Sequence, residues 1–342
     1  MKPTRREVLV LGGGMAAGAV LSTWVSPERR AGRKSAASGG GAGRGEEEYV
    51  WISANANLSL FTSRDHPGLQ RAGAELGVRV TIAGPNTVDI PGLVAAIEQT
   101  TARRPSGMMV VGWDSNALIP AINKAVESGV PVVCVDADVP ASKRLAFIGT
   151  DWFELGVRQG EAMVKALQGR RGEVALLGLI DQSIDQQAFS GFRSVAEKAG
   201  LTVLEPQHDR GNQAEAARVA SAILQSRPGL AGMAGFDSES GPGMGLALRE
   251  SGRAGKVVAT CVETAEQHLR LLKDGVLTAC IGQKRELFTY YGVKALYDYV
   301  HSSLKLTADD RRAGITPLPV NYSTGTYTVT RENVELFLGR GN

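Results

Sequence analysis

Residues 107–136 have the sequence GMMVVGWDSNALIPAINKAVESGVPVVCVD. The apolar run Gly107–Val111 is followed by a helix-length amphipathic segment, Asn116–Ser128, and then by a second apolar run, Val130–Asp136. Near-continuous apolar strands on either side of a helix are typical of a parallel sheet that is buried on both faces. The stretch therefore predicts one unit of a doubly wound α/β fold.

The same alternation of strands and helices extends from this unit in both directions, beginning near Tyr49. The predicted strands form two sets of five, and each set has the size of one doubly wound sheet. We therefore predict two α/β lobes related by an internal structural repeat. The other predicted strands are Val50–Ala54, Val78–Ala83, Leu145–Gly149, Glu173–Gly178, Thr202–Glu205, Gly232–Phe236, Lys256–Cys261 and Leu277–Gln283. The other predicted helices include Val88–Arg103, Phe153–Leu167, Gln187–Lys198 and Ala214–Gln225.

The 342-residue chain is long enough for two domains, and its excess of basic residues is confined to the N-terminus. Residues 1–48 hold eight of the 38 Lys and Arg and five of the 35 Asp and Glu, which leaves 30 of each for the remainder. A nucleic-acid-binding domain normally carries a basic surface. The neutral body therefore argues against that class of protein.

The N-terminal segment has the pattern of an export signal. Arg5 and Arg6 precede the uncharged stretch Val8–Val25, which is rich in Gly and Ala. Paired arginines before a mildly apolar run resemble a twin-arginine signal, which we place at residues 1–26. The alternative is an uncleaved membrane anchor, because a stretch of this length can just span a bilayer. Residues 27–48 are rich in Gly, Ser and Ala and are predicted to form a flexible linker.

Motifs for catalysis, cofactors and metals are weak. Residues 11–17, LGGGMAA, match a dinucleotide fingerprint, but the following strand with an acidic end that the motif requires is absent. The four histidines lack metal-ligand spacing, and neither a P-loop nor a G-x-S-x-G motif occurs. We therefore expect no catalytic residue, no cofactor and no metal. The three cysteines fall on predicted strands, where buried and reduced thiols are expected.

Polar and aromatic residues follow the predicted strands. Ligands of open parallel sheets bind beyond the carboxyl ends of the strands. Carboxylates and amides bind pairs of sugar hydroxyls, and aromatic rings cover the C–H faces of a sugar ring. The pattern predicts a sugar-binding cleft between two facing sheet edges, although each Asp also suits a helix N-cap. The candidate ligand-binding residues at these ends are Trp113, Asp136, Trp152, Asp185, Gln186, Phe236, Asp237, Glu263 and Gln283.

Several segments, taken in order and spacing, resemble the type I periplasmic solute-binding proteins of sugar ABC transporters, within the ribose-binding protein group. The resemblance covers roughly residues 49–335, and the receptors for autoinducer-2 and rhamnose are the most similar subset. The stronger segments are Leu60–Ser63 with Gly84-Pro85, Val130–Asp136 and Ile148–Asp151. The weaker ones are Asp185-Gln186 ahead of Gly191-Phe192, and Lys273–Gly275 leading to Ile281–Gln283.

The resemblance implies a periplasmic-binding-protein-like fold of type I, with two lobes joined by three hinge crossovers and closing over one ligand. It implies an N-terminal lobe of residues 49–150 and 284–318, and a C-terminal lobe of residues 151–283 and 319–342. It also implies a monomer in the periplasm or another extracytoplasmic space. Such a receptor captures a monosaccharide or sugar-like ligand and delivers it to an ABC permease at the membrane.

The resemblance also implies individual ligand contacts. Each of them matches a position at which a relative in the group contacts its sugar or autoinducer. The matched positions are Asp136 at a strand end, the pair Asp185-Gln186, Glu263 in place of the Asp of a Gly-Phe-Asp segment, Gln283 near the hinge, and Asn57 and Phe61 in the first loop.

Three departures from the group's pattern argue against ribose as the ligand. The Asp-Arg pair of the ribose binders is Asp136-Ala137 here, Gly-Phe-Asp is Cys261–Glu263, and Thr-Asp-Asn is Thr150–Trp152. These changes remove a guanidinium fork, lengthen an acidic side chain and add an indole ring. We therefore expect a larger or less polar sugar, such as a hexose or a deoxysugar, to bind more tightly than an aldopentose.

Two alternatives to an importer subunit remain open at this point. One is a twin-arginine-exported, sugar-active oxidoreductase, which would need a dinucleotide-binding loop in the body, and no predicted strand end supplies one. The other is a receptor that reports its ligand to a membrane sensor kinase and uses the same cleft.

Overall fold

The computed structural model describes residues 47–301, 305–310 and 312–338, so the predicted export signal and most of the linker lie outside the described residues. Strands and helices alternate along the chain, as the sequence predicts. The strands are β1 (Glu48–Ile52), β2 (Arg79–Ala83), β3 (Gly107–Val110), β4 (Val132–Val135), β5 (Ala146–Gly149), β6 (Glu173–Gly178), β7 (Thr202–Val203), β8 (Gln207–His208), β9 (Gly232–Gly235), β10 (Val258–Val262), β11 (Ala279–Gln283), β12 (Asn321–Ser323) and β13 (Thr326–Val329). The helices are α1 (His66–Leu76), α2 (Ile90–Arg103), α3 (Ser115–Glu127), α4 (Trp152–Leu167), α5 (Ser183–Ala196), α6 (Gln213–Ser226), α7 (Ser240–Glu250), α8 (Glu266–Lys273), α9 (Glu286–His301) and α10 (Glu335–Leu338), and a π-helical turn, Phe61–Asp65, leads into α1.

The first lobe is built on a parallel sheet with the order β2-β1-β3-β4-β5-β12. Successive residues of each strand point to opposite faces, and both faces are covered. Trp51 packs on the face that α1 and α9 cover, whereas its neighbours Val50 and Ile52 pack on the face under α2 and α3. This two-sided burial explains why the strands are continuously apolar in the sequence.

The second lobe has the sheet order β7-β6-β9-β10-β11-β13, with β8 also paired to β6. Helices α4 and α5 cover one face, and α6, α7 and α8 cover the other. All described pairings in this sheet are parallel except that of β13, which runs antiparallel to β11. The order β7-β6-β9-β10-β11 repeats the order β2-β1-β3-β4-β5 of the first lobe, which confirms the predicted internal repeat.

Within the residues that the structure describes, the chain crosses between the lobes at three places. The crossings are at Thr150-Asp151 after β5, at Lys284-Arg285 after β11, and at Thr324-Gly325 between β12 and β13. The first two coincide with the predicted lobe boundaries. The third boundary, predicted at residues 318–319, is wrong because β12 still pairs with β5 in the first sheet.

The error at the third boundary has a simple cause. The β12 segment is short, and its residues Asn321, Tyr322 and Ser323 lack the apolar run that marked the other strands. At the other end, β1 begins at Glu48, one residue inside the predicted linker. Within the described ranges, no helix is both long and apolar enough to cross a membrane.

Candidate functional site

A cavity of about 1030 Å³ lies at the carboxyl ends of the strands. The first lobe lines it with the turns that follow β3, β4 and β5, including Trp113, Asp136 and Thr150. The second lobe contributes Trp152 at the start of α4 and the turn Gln182–Ile184 at the start of α5. The cavity therefore lies at the facing sheet edges where the sequence predicts a cleft, and we call it the interlobe cleft.

Asp136 and Glu263 occupy equivalent places in the two lobes. Asp136 follows β4 and donates its backbone N–H to Ile148, whereas Glu263 follows β10 and donates its backbone N–H to Ile281. Both residues then adopt left-handed backbone angles, with φ of 67° and 78°, a region that non-glycine residues seldom occupy. Such strained positions cluster at ligand-binding sites. The same strand end therefore recurs in both lobes, although Asp136 belongs to the cavity lining and Glu263 does not.

Behind the wall of the cleft, Arg285 joins two carboxylates. Its Nε and Nη2 lie 3.0 and 3.2 Å from the two carboxylate oxygens of Asp65, and its Nη1 lies 2.7 Å from Oδ1 of Asp136. The side chains of Arg285 and Asp65 are 4% and 0% exposed, and that of Asp136 is 11% exposed. The ion pair fixes one oxygen of Asp136 and thereby orients the carboxylate toward the cleft.

Two aromatic rings enclose the guanidinium of Arg285. The ring centroids of Phe61 and Phe288 lie 5.3 and 5.2 Å from its central carbon, within the range of a cation–π contact. Burial lowers the pKa of Arg285, but the carboxylates of Asp136 and Asp65 outweigh that effect and raise it. Burial also raises the pKa of Asp65, and the Arg285 charge opposes this shift. The guanidinium is therefore charged at every physiological pH.

A second polar chain leads from the cleft into the second lobe. Thr150, on the cleft wall, donates its hydroxyl to Oε1 of Gln283 at 2.8 Å, and the Gln283 amide donates to Oε1 of Glu263 at 2.8 Å. Gln283 and Glu263 are both buried. Because Thr150 and Gln283 stand at two of the three crossings, the chain ties the carboxylate of the second lobe to the hinge.

Aromatic side chains cover the apolar part of the cleft. Trp113 and Trp152 both line the cavity. Phe61 lies behind Trp113, with ring centroids 5.6 Å apart, and also contacts the buried Trp51. Phe61 thus supports an indole of the cleft and one face of Arg285 at the same time.

Among the predicted ligand-binding residues of the second lobe, some lie at the polar edge of the sheet and one lies in the hydrophobic core. The buried Asp185 accepts a hydrogen bond from the backbone N–H of Leu179 at 2.6 Å, whereas Gln186 is exposed and donates to the carbonyl of Ile180. Phe236 is fully buried against Phe189 and does not reach the cleft. The structure therefore places Phe236 in the hydrophobic core, because its ring packs against Phe189 and Phe192 of α5.

The N-cap interpretation holds for several acids of the sheet edges. Asp114 and Asp151 accept backbone hydrogen bonds at the starts of α3 and α4, and Asp237 does the same before α7. Asp136 and Glu263 make no such contact among the described residues and bind side chains instead. Asn57 is exposed and donates to Asn86 at 2.8 Å, outside the cavity lining.

The carboxyl of Asp185 makes stability depend on pH. Burial raises the pKa of Asp185 to about 8, while the Leu179 N–H opposes the shift and Asp237 adds to it. The folded state therefore keeps a proton that the unfolded chain releases near pH 4. The contribution of Asp185 to the free energy of unfolding is therefore complete below pH 4 and is lost progressively as the pH rises to about 8.

The substitution Asp185→Asn should remove the loss of stability at high pH. The amide keeps an oxygen that accepts from the Leu179 N–H, and it carries no charge at any pH. We expect the variant to be more stable than the wild type by at least about 1 kcal/mol at pH 8 and by little at pH 4. Urea unfolding at both pH values measures the difference. Asp114→Asn, at an exposed cap, is the matched control. A gain for Asp185→Asn that does not depend on pH would contradict the assignment.

Sequence reasoning missed Asp65 and Arg285. Asp65 lies four residues after Phe61, on the same face of a helical turn, and Arg285 lies two residues after Gln283. Both residues thus lie close in sequence to predicted site residues. Their ion pair, however, joins positions 220 apart, and no local sequence pattern reveals such a contact. In the described part of the chain, no group of three or more His, Cys, Asp or Glu is arranged to hold a metal ion.

Two α/β lobes with a polar and aromatic cleft at facing sheet edges define a solute-binding protein. The chain belongs to the periplasmic binding protein family, because a model of the periplasmic binding protein domain matches residues 49–303. This is a family of binding proteins, and its members are periplasmic or otherwise extracytoplasmic.

Individual relatives agree with this assignment. The chain is 25% identical over 246 residues to the D-ribose/D-allose-binding protein of Pseudomonas aeruginosa, a match that covers 69% of this chain and 75% of the relative. A sugar-binding protein of a sugar ABC transporter from Bacillus halodurans superposes with a TM-score of 0.80 at 29% identity, covering 85% of this chain and all of that one. An arabinose-binding protein from Geobacillus stearothermophilus superposes with a TM-score of 0.77 at 29% identity, and the match covers 85% of this chain and 99% of that one. The resemblance to the sugar-binding proteins of ABC transporters and the type I fold are confirmed. The relatives named here are described as binding ribose, allose or arabinose, and the resemblance to the autoinducer-2 and rhamnose receptors stays a prediction.

Proposed function

We propose that this chain is the receptor of a sugar importer, which captures a monosaccharide in the interlobe cleft and delivers it to an ABC permease. The observation that carries the proposal is the carboxylate of Asp136, held by Arg285 on the wall of a cavity that also presents Trp113 and Trp152. A fixed carboxylate binds adjacent hydroxyls, and indole rings cover the C–H face of a sugar. The relatives named for ribose, allose and arabinose support this ligand class.

We further propose a hexose or deoxysugar as the ligand, in preference to an aldopentose. Ala137 lines the cleft beside Asp136, so this position, where the ribose binders carry an arginine, supplies no guanidinium to a ligand. Trp113 and Trp152 supply apolar surface to which an additional carbon or a deoxy position can bind. The same proposal includes export by the twin-arginine signal at residues 1–26 and a monomeric receptor.

A thermal-shift screen of the full chain tests the function. The panel contains D-ribose, D-allose, D-glucose, D-galactose, L-arabinose, L-rhamnose, L-fucose and autoinducer-2, with NAD and NADP alongside. A ligand at 100 times its dissociation constant adds about 2.7 kcal/mol to the stability of the folded state, a shift of several degrees. We expect a shift with at least one sugar and none with either nucleotide. A nucleotide response without a sugar response would favour the exported oxidoreductase and overturn the proposal.

A further inference from the structure

Cys261 and Cys280 face each other on neighbouring strands of the second lobe. They are direct register partners of β10 and β11, and their sulfur atoms lie 3.5 Å apart. Both side chains are fully buried, and both belong to the same hydrophobic cluster. Partners on adjacent strands have Cα atoms about 4.8 Å apart, which falls inside the range of about 4.4–6.8 Å that disulfides require. The backbone therefore already has the spacing of a disulfide.

We propose that Cys261 and Cys280 form a cross-strand disulfide when the chain opens or refolds in an oxidising compartment. A disulfide bond of about 2.05 Å needs the sulfur atoms to approach by roughly 1.5 Å, and rotation about the two Cα–Cβ bonds would bring them together. Disulfides persist in extracytoplasmic compartments, where this family is found. Cys134 has no such partner among the described residues and lies in the other lobe, on β4.

The reaction is a thiol–disulfide exchange with an oxidised disulfide such as glutathione disulfide. One protein thiolate attacks the glutathione disulfide and releases one glutathione thiol, and the second protein thiolate then displaces the other. The protein loses two protons and two electrons, and glutathione disulfide is reduced to two thiols. The neighbouring Cys280 thiol and burial raise the pKa of Cys261, so exchange requires the open or folding chain rather than the closed core.

The position of the pair gives the bond a structural consequence. Cys261 lies two residues before Glu263, and Cys280 lies three residues before Gln283. The bond would join the two strands directly below the hydrogen-bonded Glu263–Gln283 pair. It would also close a loop between residues 19 positions apart, and so restrict the unfolded chain.

A thiol count tests the proposal. The full chain is refolded from the reduced, denatured state with glutathione disulfide and glutathione, then denatured, and its free thiols are counted with a maleimide. We expect one free thiol in the wild type, none in Cys134→Ala, and two in each of Cys261→Ala and Cys280→Ala. Peptide mapping should show Cys261 joined to Cys280, and the oxidised wild type should melt about 5 °C above the reduced form.

Two results would overturn the proposal. One is three free thiols in wild type that has been refolded with glutathione disulfide, and the other is a disulfide that contains Cys134. Should a variant fail to refold, the thiol count and the peptide map of the refolded wild type, which need no variant, decide the matter. None of these measurements depends on which ligand the cleft binds.

Discussion

Replacing Arg285 by methionine should destabilise the folded chain by about 3–5 kcal/mol at pH 7, the usual effect of removing one partner of a buried ion pair. The substitution leaves the carboxylate of Asp65 fully buried without the guanidinium that accounts for its side-chain hydrogen bonds in the structure. It also frees Asp136 from its anchor. Urea unfolding of the wild type and of Arg285→Met measures the loss.

The dependence of this loss on pH identifies its cause. Without the opposing guanidinium, burial and the neighbouring carboxylates of Asp136 and Glu263 raise the pKa of Asp65, so the folded variant binds a proton more tightly than the unfolded chain does. The variant should therefore be least stable at high pH and recover part of its deficit near pH 5. Arg71→Met, at an exposed pair, is the control and should change little. A deficit of less than about 1 kcal/mol for Arg285→Met, or one that is equal at pH 5 and pH 8, would show that the ion pair does not stabilise the site.

Asp136→Asn should weaken binding of the sugar found in the screen by about tenfold to hundredfold. A hydrogen bond to a charged group contributes about 1.5–3 kcal/mol, and an amide keeps the shape but removes the charge and one acceptor. The fold should survive, because Arg285 keeps both of its contacts to Asp65. Isothermal titration of the purified variant gives the dissociation constant.

Asp114→Asn is the matched control for this substitution. Asp114 also lines the cleft, but its carboxylate caps α3, and asparagine caps a helix equally well. The control should bind the sugar as the wild type does. Equal affinity of Asp136→Asn and the wild type would remove Asp136 from the binding site.

Most of the fold could be predicted because its signal is local, although the short strands β8, β12 and β13 were not predicted. Apolar strands such as Val132–Val135 and amphipathic helices between them carry their pattern in consecutive residues. The strand ends of the cleft followed from topology, since parallel strands bring Asp136 and Glu263 to facing edges. The short strand Asn321–Ser323 lacked an apolar run and was assigned to the wrong lobe.

The site was harder to predict than the fold because its contacts join distant parts of the chain. Arg285 approaches Asp65 and Asp136 only after the hinge crossings place them together. Phe236 follows a strand end, as Asp136 of the cavity lining does, and only the packing of α5 shows that it belongs to the core. Strand-end position thus identifies candidates, whereas burial and side-chain partners separate ligand contacts from helix caps and core residues.

Isothermal titration of the wild-type chain with hexoses, deoxysugars and aldopentoses tests the function most directly. We expect one sugar molecule to bind per chain, with a hexose or deoxysugar bound more tightly than any aldopentose. Tighter binding of an aldopentose would contradict the proposed ligand class but leave the receptor function intact. The absence of binding heat with every sugar, from protein that is shown to be folded, would contradict the sugar-receptor function itself.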